Sequence, residues 1–117
     1  MSMKKLLLAA LFALGAASPA LAHAHLTGSE PADKAEIAAP TTLTLSFSEG
    51  LEIAFSGVEI SGPSGPVSGV SAALGADGKT LLVTLPAALP PGAYTVNWHA
   101  LASDGHKTTG SYGFVVK

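Results

Sequence analysis

From Thr42 onward the chain alternates apolar and polar residues with a period of two. "TTLTLSFS" sets Leu43, Leu45 and Phe47 on one side and Thr42, Thr44 and Ser46 on the other. "GVEIS" turns Val58 and Ile60 away from Glu59, and "TLLVTLP" aligns Leu81, Val83 and Leu85. "AYTVNWH" sets Tyr94, Val96 and Trp98 against Thr95, Asn97 and His99, and "SYGFVVK" aligns Tyr112, Phe114 and Val116. Successive side chains of a strand point to opposite faces, so this period predicts five strands, each with one buried face. Turn chemistry falls between them, at "SGPSGP", at "ADGK" with Asp77-Gly78 as a hairpin signal, and at "PPG" from Pro90 to Gly92. Asp33 to Ala39 ("DKAEIAA") has the composition of one short helical turn, ended by Pro40. Many short strands at close spacing predict an all-β, antiparallel β-sandwich. The chain shows no internal repeat, low-complexity tract or linker, so one domain is expected.

The first segment breaks this pattern. Met1 to Ala22 carries Lys4 and Lys5, then an apolar run from Leu6 to Ala17, then Ala20-Leu21-Ala22 as a small-x-small cleavage site. That is the layout of a secretory signal peptide, and the run is short for a membrane span. Residues 1–22 are therefore expected to be removed, leaving residues 23–117 as the folded domain with no further run able to cross a bilayer. Cleavage after Ala24 is an open alternative, because Ala22-His23-Ala24 is also small-x-small.

Composition then narrows the chemistry. The net charge is −2, and loss of Lys4 and Lys5 makes the remainder more acidic. With no arginine and no basic cluster, a nucleic-acid partner is excluded, since phosphate neutralisation needs a positive patch. Cysteine is absent, and the two methionines, Met1 and Met3, lie in the leader. A cleaved chain therefore has no sulfur donor for a metal.

Histidine and carboxylate remain. There is no Gly-x-Ser-x-Gly elbow, phosphate-cradling glycine loop or His-Glu-x-x-His helix, and no catalytic residue is expected. Two of the four histidines, His23 and His25, sit at the expected new amino terminus, and Asp104 and His106 are two apart in "SDGHKTTG". In extended backbone such i, i+2 pairs aim both groups to one side. Cleavage after Ala22 would give His23 a free amine, which chelates a metal together with its own imidazole once the proton is displaced. Adding Asp104 and His106 makes a nitrogen-and-oxygen set of the kind that favours Cu(II), whereas Cu(I) wants sulfur. Each feature also has a plainer reading. A terminal histidine is often an unattached surface residue, and "SDGH" is by itself an ordinary Asp-Gly turn. His99 reads as exposed or structural, Trp98 as a core anchor, and Glu52, Glu59 and Asp77 as solvated charges.

Taken together, "HAHLTGSEPAD", "LTLSFSEGLE" and "AYTVNWHALASDGHKTTGSYGFVV" resemble the CopC family of periplasmic copper-binding proteins, across nearly the whole chain after the leader. The resemblance implies an immunoglobulin-like Greek-key β-sandwich in the periplasm, binding one Cu(II) ion between the new amino terminus and the loop before the last strand. Carried over position by position, the ligands are the amine and imidazole of His23, Asp104 and His106. Glu49 matches the glutamate of "F-S-E" and is assigned a supporting place beside the site. His25 stands where only some members have histidine, and so remains a candidate ligand outside the main set. Some members carry a Cu(I) site rich in methionine and histidine in mid-chain. The corresponding "EISGPSGPVSGVSAALGADG" has neither residue, so no Cu(I) site is expected. The resemblance further implies copper sequestration, resistance or delivery to an inner-membrane copper permease of the CopD type.

Other readings stay open at this point. NH2-His23-Ala24-His25 alone supplies an amine, two backbone amide nitrogens and an imidazole, a square-planar Cu(II) or Ni(II) set that ignores Asp104 and His106. An amino-terminal histidine brace on a β-sandwich also resembles the copper site of oxygen-activating polysaccharide monooxygenases. A structural or adhesive sandwich without metal is the third.

Overall fold

A computed structural model describes residues 23–117. The expected signal segment, residues 1–22, lies outside the described residues. The strands are β1 (Leu26–Glu30), β2 (Glu36–Ile37), β3 (Thr42–Phe47), β4 (Gly57–Gly62), β5 (Gly65–Pro66), β6 (Ser71–Leu74), β7 (Thr80–Thr84), β8 (Gly92–Leu101) and β9 (Lys107–Val116). A 3-10 turn, Ile53–Phe55, sits between β3 and β4.

The alternation in the sequence becomes the core. Leu43, Leu45, Phe47, Ile60, Leu81, Val83, Leu85, Tyr94, Val96, Trp98, Tyr112, Phe114 and Val116 are all buried, and Val58 is half-buried against them. The strands form two sheets, ordered β1-β3-β7-β6 and β2-β9-β8-β4-β5. Apart from the short β2 and β5, this is the four-plus-three Greek-key arrangement of an immunoglobulin-like sandwich. Antibody domains tie β3 to β8, their second and sixth main strands, with a disulfide. Here the cysteine-free chain joins the same two strands through Phe47 and Trp98, whose rings meet edge-on at 5.2 Å. Trp98 lies over Gly110, its register partner on β9, where any Cβ would overlap the indole. At the entry to β8 the Tyr94 hydroxyl donates to the Pro90 carbonyl at 2.7 Å, closing the corner between the sheets as the tyrosine corner of this fold does.

Two expectations are corrected. Asp33 to Ala39 is not helical: Glu36–Ile37 forms β2, which pairs with the end of β9 in parallel, so the sandwich is not wholly antiparallel. Long-range bonds override the local helical preference. Asp33 accepts the Gly113 N–H through Oδ1 at 3.0 Å, and the Lys34 N–H donates to the Gly113 carbonyl at 2.6 Å. Lys34 adopts a positive φ of 68°, which no right-handed helix accommodates.

Candidate metal centre

The β8–β9 hairpin has ten paired positions in its strands and closes through Ala102 to His106. The Gly105 N–H donates to Ala102 O, and the Ala102 N–H donates to His106 O, both at 2.9 Å. Gly105 has a φ of 93°. A turn followed by one left-handed residue is a common hairpin closure, and glycine adopts it without a Cβ penalty. The Asp104 carboxylate then stabilises the turn from within, its Oδ1 accepting the His106 backbone N–H at 3.1 Å. The same oxygen lies 3.1 Å from His106 Nδ1. The Asp104 carboxyl is held below its ordinary value, first by the hydrogen bond from the His106 backbone and then by that from its side chain. The charges of His106 and His23 act in the same direction.

His23 reaches this loop from the opposite end of the described chain. Its ring meets that of His106 edge-on, with centroids 4.9 Å apart. Neither short-range turn chemistry nor strand alternation produces that contact. It depends on how residues 23–25 are held, just ahead of β1. Ala24 is fully buried in the core, so the segment is pegged between two outward-facing histidines. The His25 N–H donates to Ser48 Oγ, and the Ser48 N–H donates to His25 O, each at 2.9 Å. The Ser48 hydroxyl also approaches His23 O at 3.4 Å. From the other sheet, Thr108 Oγ1 donates to Ala24 O at 2.9 Å. Residues 23–25 thus span the end of the sandwich, bonded to the end of β3 on one side and the start of β9 on the other.

His23, Asp104 and His106 are therefore brought together. The cluster opens to solvent, with the His106 and Asp104 side chains 52% and 43% exposed, which suits exchange of an ion rather than its burial. It has not converged to a ligating geometry: among the described residues, no group of three or more His, Asp or Glu side chains is arranged to hold a metal. Two local reasons are visible. His106 directs Nδ1 at Asp104, and His23 and His106 meet by their ring edges. In the full chain, moreover, the His23 nitrogen is an amide bonded to Ala22. Nε2 of His106 and Oδ2 of Asp104 lie outside these bonds, and these are the atoms that can turn to an ion.

The other residues fall into place around this cluster. His25 is exposed, and its backbone N–H and carbonyl both bond to Ser48. Glu49 is half-buried in the Ser48–Gly50 turn. That turn links the two halves of the centre, since Gly50 O accepts the Ser103 N–H at 2.9 Å while Ser48 holds His25. His99 is exposed on the outer face of the five-stranded sheet, over Gly57. A shallow groove of about 360 Å³ runs there past Glu59, Asn97 and Thr109, with no residue of the histidine cluster in its wall. Sequence reasoning missed Ser48 and Thr108. Both carry ordinary strand-end hydroxyls, and only the topology reveals that a third segment lies between them.

Comparison with known proteins places the sandwich among copper resistance proteins. Residues 26–117 match the model of the CopC domain. Protein YobA of Escherichia coli K12 is 50% identical over 99 residues, covering 82% of this chain and 80% of that protein. Copper resistance protein C of Pseudomonas syringae pv. tomato is 42% identical over 116 residues, covering 92% of each. Among solved structures, PcoC, a methionine-rich copper resistance protein from Escherichia coli, superposes with a TM-score of 0.75 at 39% identity, covering 82% of this chain and all of that one.

Proposed function

The chain belongs to the CopC family, whose members bind copper and are not enzymes, and from that premise we propose that it is a periplasmic Cu(II) carrier with one site. Family membership favours this over the oxygen-activating alternative. The ion is cargo, and the residues divide the work of holding it. Removal of residues 1–22 would free the His23 amine, which chelates with the His23 imidazole. His106 supplies a second imidazole through Nε2, and Asp104 supplies an anionic oxygen that offsets the charge of the ion. Glu49 supports the site from the turn between its halves. A nitrogen-rich set with one carboxylate and no sulfur fits Cu(II), and with Met1 and Met3 confined to the expected leader, no Cu(I) site is expected beside it. Exposure of the cluster suits sequestration followed by release, with an inner-membrane copper permease of the CopD type as the receiving partner.

The observation that carries this reading is the edge-on contact of His23 with His106, between residues at opposite ends of the folded domain. A second observation weighs against coordination by His23-Ala24-His25 alone. That mode needs the His25 amide nitrogen as a ligand, yet this N–H is bonded to Ser48 Oγ and the neighbouring Ala24 is buried.

Calorimetric titration tests the proposal. Protein isolated from the periplasm is expected to saturate at one equivalent of Cu(II), and His106→Ala should lower affinity by at least about tenfold. Unchanged affinity in His106→Ala would reject the two-segment site.

A further inference from the structure

Ser48 and Thr108 do something that the proposed ligand set does not require of them. Ala24 O and the His25 N–H belong to one peptide unit, and that unit is hydrogen-bonded at both ends. Thr108 Oγ1 donates to its oxygen at 2.9 Å from β9, and Ser48 Oγ accepts from its nitrogen at 2.9 Å from the end of β3. The Ser48 backbone N–H adds a bond to His25 O at 2.9 Å, and the Ala24 methyl group fills the core beneath. This peptide nitrogen is one that the amino-terminal, square-planar mode must deprotonate and bind. To wrap residues 23–25 around an ion in that way, the chain would have to break both bonds and withdraw Ala24 from the interior.

We propose that Ser48 and Thr108 are positioning residues that clamp the Ala24–His25 peptide from both sheets and so decide which copper site the amino terminus joins. Clamped, the segment presents His23 to Asp104 and His106 and withholds the His25 amide nitrogen. Released, it is free to curl around Cu(II) or Ni(II) as a self-contained chelator. The inference rests on the two-segment reading above and adds a determinant of coordination mode and metal selection to it.

The test compares Ser48→Ala, Thr108→Val and the double variant with the conservative Ser48→Thr and Thr108→Ser. All are expressed as the full chain and isolated from the periplasm. Thermal unfolding establishes that each is folded, and the single variants carry the test if the double one is not. Cu(II) affinity and the electron paramagnetic resonance spectrum are read with and without His106→Ala, and Ni(II) serves as a second probe. Removing the hydroxyls is expected to lower Cu(II) affinity of the two-segment site by about tenfold, the scale of groups that orient a ligand from behind. The spectrum should shift toward four nitrogen donors, planar Ni(II) binding should appear, and His106→Ala should lose most of its effect. The hydroxyl-retaining variants should behave as the native chain. If the clamp-free variants keep the native spectrum and the full His106→Ala penalty, the clamp inference fails while the two-segment site stands. If His106→Ala costs nothing even with the clamp intact, the two-segment site itself fails.

Discussion

The molecule contains two turns built on the same dipeptide. "GADGKT" closes β6 onto β7, and "ASDGHKT" closes β8 onto β9. In both, the aspartate carboxylate accepts a backbone N–H two residues on, from Lys79 at 2.9 Å and from His106 at 3.1 Å. In both, the glycine has a positive φ, 71° at Gly78 and 93° at Gly105. The difference lies in what else reaches them. The second oxygen of Asp77 accepts the Thr80 hydroxyl at 2.9 Å, which completes a self-contained turn. Asp104 instead bonds to the backbone and ring of His106, and that ring is met by His23 from the far end of the domain. An Asp-Gly turn is thus a local structure whichever loop it occupies. It becomes a candidate metal centre only where the fold delivers a second segment with donors of its own.

The comparison is broken most severely by damaging the fold that makes the delivery. Trp98 spans the sheets against Phe47, and Trp98→Ala should cost about 3–5 kcal/mol in urea unfolding. The Asp77 turn holds itself together, whereas His23 reaches His106 through the burial of Ala24 and the bonds to Ser48 and Thr108, so residual Cu(II) affinity should fall with fold stability. A Trp98→Ala chain as stable as the native one would mean that the aromatic pair does not join the sheets.

A smaller effect sharpens the other side. The Asp77 carboxyl is held below its ordinary value, first by the Lys79 backbone N–H and then by the Thr80 hydroxyl. A group whose folded pKa is depressed stabilises the fold above its unfolded pKa, and that contribution is lost as pH falls through the folded value. Asp77→Asn should therefore lower the melting temperature slightly at neutral pH, with the deficit vanishing in strong acid. Cu(II) affinity should not change at any pH where the protein is folded. Altered copper binding in this variant would show that the two turns are coupled after all.

Much of this architecture was legible in the residue order because strand alternation and turn chemistry are local properties. Leu43, Leu45 and Phe47, for example, announce an inward face without reference to any partner. The loop half of the centre was legible for the same reason, since Asp104, Gly105 and His106 specify their turn among themselves. The short β2 was not, because its backbone is held by Gly113 and the end of β9, and a reading of Asp33 to Ala39 in isolation favours helix. Nor were Ser48 and Thr108, whose importance lies in sharing one peptide unit across a sequence gap that no periodicity spans. Family resemblance pointed to His23, Asp104 and His106 together, and the geometry supplies the reason they meet.

One measurement bears most directly on the claim that a newly exposed amine joins a distant loop around a single oxidised copper ion. Cu(II) affinity can be compared between a chain that begins at His23 and the same chain carrying one extra glycine ahead of it. The account predicts that the extension lowers affinity by at least about tenfold and removes one nitrogen from the copper spectrum, because the His23 nitrogen becomes an amide. Equal affinity with an identical spectrum would contradict it.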